Sequence, residues 1–223
     1  HMVKSKNLLI VLSIAILCLF LWEHWIIYPL KLLVVLMHET GHAVAALLTG
    51  GEVVSLQINP QQGGFARIRG GSQFIINCAG YLGSSLIGAV ILALSTRKPW
   101  KHFLLEAFGL AILLELLFWV RDFFTAMFAI GTLVVLLVIS KLSKHLKPLV
   151  MQVIGTICCL YAVYDIKSDI LSGQSWYGSG AIVSDAQALA DITFIPAIVW
   201  GGFWIILAIW IFVTTWLKLP MNE

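Results

Sequence analysis

The chain has 223 residues, of which 60% are hydrophobic and only 11% charged, and its mean hydropathy is +0.96. Several apolar runs are long enough to cross a hydrocarbon core of about 30 Å, so the composition implies a polytopic membrane protein. The net charge of +3 comes from lysines and arginines clustered in short connectors, where it bears on topology and gives no sign of a nucleic-acid partner.

His1-Met2 reads as a remnant of cloning, and the apolar run that follows as a retained first span at about residues 8 to 28. A second apolar stretch, about 30 to 49, follows Tyr28-Pro29 and contains His38-Glu39-Thr40-Gly41-His42. Residues 52 to 69 alternate β-branched and polar residues on either side of Asn-Pro-Gln-Gln-Gly-Gly, the pattern of a β-hairpin. Further spans are expected at about 74 to 95, 103 to 120, 123 to 140, 149 to 170 and 194 to 217. Residues 172 to 190 are polar, rich in Gly and Ser, and read as a long loop. The expected architecture is therefore an all-α polytopic membrane protein of about six or seven transmembrane helices, with a short β-hairpin after the motif helix, organised as one integral membrane domain over residues 1–223.

Cys18, Cys78, Cys158 and Cys159 lie in apolar segments without metal-binding spacing and read as small buried hydrophobes. The glycines at 41, 80, 83 and 88 read as sites of close helix approach. Alternation of spans places the exit of the motif helix, the Arg121-Asp122 turn and the loop after Asp165 on one side of the membrane, so that the motif and the loop's acidic residues can meet.

On a helix, His38 and His42 fall four residues apart on one face, where both imidazoles can reach one zinc, and Glu39 is placed to handle the attacking water. Each ionisable group near a bilayer centre costs roughly 2.5 to 3.5 kcal/mol on insertion scales, so three on one helical turn require a compensating role. A catalytic zinc needs a third protein ligand, and the sequence has no third histidine at the extended spacing. Asp165, near the end of the sixth span, comes to the same reckoned depth as His42 and is the first candidate, with Asp169 one turn further out as the alternative. Glu115, in mid-span, is a rival that reads better as a buried hydrogen-bonded carboxyl, and Arg121-Asp122 as a local ion pair.

The segment from His38 to Gly51 resembles the first signature of the site-2 protease class of intramembrane zinc metalloproteases. The chain is more narrowly similar to the small site-2 protease B-like branch, through Ala79-Gly-Tyr-Leu-Gly83, Tyr164-Asp-Ile-Lys-Ser-Asp169 and Ser184-Asp-Ala186 followed by Pro196 and Trp200. It departs from the better-studied members in lacking the Leu-Asp-Gly segment that carries their third ligand and the Gly-Pro-x-x-Asn element after the β-segment. Asn77, three residues before Gly80, is the candidate for the substrate-binding amide which that element would supply.

The resemblance implies a zinc endopeptidase that cuts single-span membrane proteins within or beside their membrane segments. Zinc would be held by His38, His42 and Asp165 or Asp169, with Glu39 as base and then acid. An edge of the hairpin could pair with an unwound substrate. A bacterial inner membrane is the default location. Two alternatives remain open on the residues alone: a proteolytically silent protein that binds client helices, and a metal or proton transporter.

Overall fold

The computed structural model describes the backbone of residues 5–172, 174–177 and 180–219, and the side chains of residues 7–166 and 183–219. Asp169 therefore lies, as a side chain, outside the described residues. Helix α1 (Ser5–Leu21) leads through a connector to α2 (Tyr28–Leu48), whose first turn holds Pro29, the place where a missing N–H costs nothing. Strands β1 (Glu52–Ile58) and β2 (Gly64–Arg69) form the expected hairpin, followed by α3 (Gln73–Ser95), α4 (Leu104–Phe118) and α5 (Phe123–Leu142).

Among the described residues, four helices are long and apolar enough to cross a membrane: the second, the third, the fifth and the last. The first and the sixth are apolar but shorter, and the fourth has 15 residues. The expected sixth span is two helices, α6 (Leu146–Cys159) and α7 (Tyr161–Ser172), separated at Leu160. The expected long loop contains a second antiparallel hairpin, β3 (Gln174–Tyr177) with β4 (Gly180–Val183), and a short helix, α8 (Asp185–Thr193). Helix α9 (Ala197–Leu217) closes the order. The chain is an integral membrane protein built mostly of helices.

Burial identifies the centre of the bundle. The window around α2 is 78% buried, against 17% for α5, although α5 is the more apolar of the two. An apolar helix left exposed on most of its surface suits a lipid-facing position, whereas α2 carries the ionisable residues and is enclosed. Glycine sets the spacing around it. A Cβ on Gly41 would overlap the Ala79 carbonyl, and one on Gly83 would come 2.8 Å from Gly41 Cα, so α2 and α3 touch backbone to backbone. Gly88 and Gly155 allow the same approach between α3 and α6. The cysteines are all free thiols, three of them buried and Cys78 half-buried.

The hairpin is tied into the bundle through β1. β1 pairs with β2 from Glu52↔Arg69 to Ile58↔Gly64, with an irregularity between Val53 and Ser55. Its other edge is taken by the segment after α4, where Leu56 N donates to Trp119 O at 2.9 Å, and by Thr125, whose hydroxyl accepts from Ile58 N at 2.9 Å. The turn between the strands is closed by Asn59, whose side-chain oxygen accepts from Gln61 and Gly63. β2 is left with its outer edge along the cleft that contains the histidines.

Arg121 and Asp122, expected to pair with each other, instead cap two helices. The guanidinium donates to the Leu117 and Phe118 carbonyls at the end of α4 and to Val120 O at 2.8 Å just beyond it, and Asp122 accepts from Thr125 N at 2.9 Å at the start of α5. Unmade hydrogen bonds at helix ends account for this choice.

Candidate metal centre

Helix α2 presents His38 and His42 one turn apart on the same face, as the spacing predicts. The rings lie 4.8 Å apart, centroid to centroid. The His42 ring is oriented by Nδ1, which donates to the Ile76 carbonyl at 2.7 Å and leaves Nε2 facing the cleft. This is the arrangement by which a metal-binding histidine is usually fixed. Tyr81 and Tyr161 stand edge-on against the His38 ring at 4.6 and 5.5 Å.

The carboxylate brought to both imidazoles is Asp185, the first residue of α8. Its Oδ2 lies 2.9 Å from His38 Nε2 and 3.2 Å from His42 Nε2. Ser184 caps α8 by accepting from Gln187 N at 3.3 Å, and the helix packs on α3 and α9. Burial opposes ionisation of Asp185, but the charges and hydrogen bonds of His42 and His38 outweigh it and hold the carboxyl well below the usual carboxylate range.

Asp165 stands elsewhere in the same cleft. It accepts from Tyr161 Oη at 2.9 Å and from Tyr81 Oη at 3.4 Å, and it is not one of the three residues whose ligand atoms converge. The depth reckoning that favoured it assumed one continuous helix over residues 149 to 170. The break at Leu160 removes that assumption. Asp185 was within reach of sequence reasoning, because Ser184-Asp-Ala186 carries part of the family resemblance and the loop containing it was placed on the motif's side. The signal missed was Ser184 as an N-cap, with Asp185 in the first turn of a helix.

The donor set fits a divalent metal. Among the described residues, ligand atoms of His38, His42 and Asp185 lie within 4.8 Å of one another. Tetrahedral zinc with bonds of about 2.0 to 2.1 Å would separate its donors by about 3.3 Å, close to the two His–Asp distances above. Two imidazoles, one carboxylate and an open side is also the ligand chemistry of catalytic zinc. Gly80 forms the wall behind it: a Cβ there would overlap His38 Nε2 and lie 2.7 Å from Asp185 Oδ2. Gly80→Ala is therefore expected to push the two donors apart and lower bound zinc at least about tenfold, as disturbance of ligand orientation does elsewhere. Metal analysis of the purified variant, alongside its melting temperature, checks this.

Glu39 is buried at 6% exposure and belongs to the cleft but not to the ligand set. Gly64 makes room for it, since a Cβ there would collide with the carboxylate. Asn77 is 9% exposed, lines the same cleft, and has its Nδ2 buried without a hydrogen-bond partner. Glu115 is the buried, hydrogen-bonded carboxyl that its mid-span position suggested: its Oε1 accepts from the Thr40 hydroxyl at 2.8 Å. The cleft has a volume of about 1480 Å³ and one wall formed by β2.

No curated protein and no solved structure shows significant similarity to the chain. The profile of one family, described as Peptidase M50B-like, matches residues 11–215, nearly the full length. With the apolar helices and the His38-Glu39-x-x-His42 helix already in place, that match is decisive: the chain belongs to the Peptidase M50B-like family.

Proposed function

We propose that the protein is an intramembrane zinc endopeptidase that hydrolyses peptide bonds in or near the membrane segments of single-span proteins. The observation that carries this reading is the convergence of His38, His42 and Asp185 beside Glu39, inside a cleft walled by a β-strand edge. A membrane-embedded peptidase must bring water, an acid–base group and an extended peptide to one place, and these are the groups available there.

His38 Nε2, His42 Nε2 and Asp185 Oδ2 would hold the ion. When bound, zinc supplies a Lewis acid that eases deprotonation of water and polarises the peptide carbonyl. Glu39, lying against Gly64 of β2, takes the proton of the attacking water and returns it to the amine nitrogen as the C–N bond breaks. Asn77 Nδ2 is a donor suited to a carbonyl oxygen of the substrate.

The outer edge of β2 holds an unwound peptide by main-chain hydrogen bonds, since a helical substrate shields its peptide bonds. Residues 63 to 68 all line the cleft. A bacterial inner membrane, the location first expected, is part of the same reading.

Cleavage of a single-span model protein by the purified enzyme in detergent tests the proposal. Activity should fall to background after zinc is removed with a chelator and return when zinc is added back. Cleavage that persists in metal-free protein would sink it.

A further inference from the structure

Lys31 lies on α2 seven residues before His38, hence on the same helical face and roughly 10 Å nearer the start of the helix. It is 8% exposed, yet it lines the same cleft as His38, Glu39 and His42. Its ammonium sits over the Trp22 ring, 4.9 Å from the centroid, and Trp22 is stacked in turn on Tyr164. Its ion-pair partner is Glu23, at 3.6 Å, but the Glu23 side chain is 91% exposed. A long contact to a solvated carboxylate contributes little and can be exchanged at small cost. A lysine in an otherwise apolar stretch of helix is poorly explained by that pair alone.

The direction of β2 relates this cation to the metal centre. The hairpin turn rests on the start of α2, where Tyr28 Oη donates to Pro60 O at 2.9 Å. The far end meets the end of α2, where Ser72 N, just after β2, donates to Thr49 Oγ1 at 3.0 Å. Between these points Gly64 lies against the Glu39 carboxylate. β2 thus runs alongside α2 from near Lys31 toward Thr49. An extended peptide held on its outer edge passes the histidines and reaches Lys31. At about 3.3 Å per residue, roughly 10 Å corresponds to about three residues.

We infer that Lys31, seated on Trp22, forms a subsite for a carboxylate side chain of the substrate, about three residues from the bond that faces the metal centre. The ammonium supplies the charge and the indole holds it in position without neutralising it. Glu23, already in solvent, gives up its contact with Lys31 when the substrate carboxylate arrives. The inference rests on the peptidase reading for the position of the cut, but the binding step is independent of cleavage.

The probe is a set of Leu/Ala single-span peptides of about 20 residues, each carrying one Asp, Asn or Lys at a scanned position. Binding to the full chain carrying Glu39→Gln is read in detergent by fluorescence anisotropy. At one position of the scan the Asp peptide is expected to bind roughly tenfold tighter than its Asn counterpart, as a charge-assisted contact allows. Lys31→Met and Lys31→Gln should abolish the preference, Lys31→Arg should retain it, and Lys31→Glu should transfer it to the Lys peptide. Equal affinity for Asp and Asn peptides throughout the scan overturns the inference, and so does a preference that survives both neutral substitutions. The first comparison needs no variant at position 31, so a folding defect there cannot hide the answer. Cleavage of the same peptides with Glu39 intact is scored separately. Preference without cleavage sinks the peptidase reading and keeps the subsite; cleavage without preference does the reverse.

Discussion

Purified Asp185→Ala protein is expected to lose its zinc, with affinity reduced roughly 100-fold or more, the upper end of what disturbing a supporting group alone causes. The two imidazoles come from one helical turn and cannot enclose an ion without a donor from outside it. Asp185 is the carboxylate that reaches both. Asp165→Ala should keep stoichiometric zinc, because that carboxylate accepts from Tyr161 and Tyr81 and is not among the converging ligand atoms. Metal content per chain, measured for both variants after the same purification, separates the two aspartates. Zinc lost with Asp165 and retained without Asp185 would reverse the assignment.

Glu39→Gln should lower cleavage by about 10² to 10⁴ while leaving zinc and melting temperature near their native values. Glutamine has nearly the same shape and fits beside Gly64 as glutamate does, so the cleft should persist. What disappears is the group that accepts a proton and returns it. Single-turnover cleavage of a model membrane peptide, with metal analysis on the same preparation, is the required measurement. Undiminished turnover in the variant would remove Glu39 from the chemistry. Zinc bound with no cleavage even by the native chain would instead favour the silent, client-binding alternative.

Local patterns disclosed much of this arrangement. The His38-Glu39-x-x-His42 spacing determines which side chains share a face once the segment is helical, and the apolar surroundings require that segment to be enclosed. The alternation in residues 52 to 69 likewise marked the hairpin, because a period of two and turn residues are local properties. Glycines at close approaches were legible for the same reason, and Gly41, Gly83 and Gly88 are where α2, α3 and α6 touch. The second hairpin and α8 were harder to discern, since their segment is short, polar and rich in Gly and Ser, and its order depends on what it packs against.

Composition and short-range spacing were enough for the membrane setting, the histidine pair with its neighbouring glutamate, the β-hairpin after them and the family resemblance. Packing brings Asp185 to both imidazoles, sets Asp165 against two tyrosines, turns the outer edge of β2 to the cleft and opens Lys31 onto the same space. The division has a physical cause. Helical and strand periodicity fix relations among residues a few positions apart, whereas His38 and Asp185 are separated by 147 positions and meet through a break at Leu160 and a capped helix start at Ser184. Such a meeting is set by how the helices pack, and no repeat in the chain encodes it.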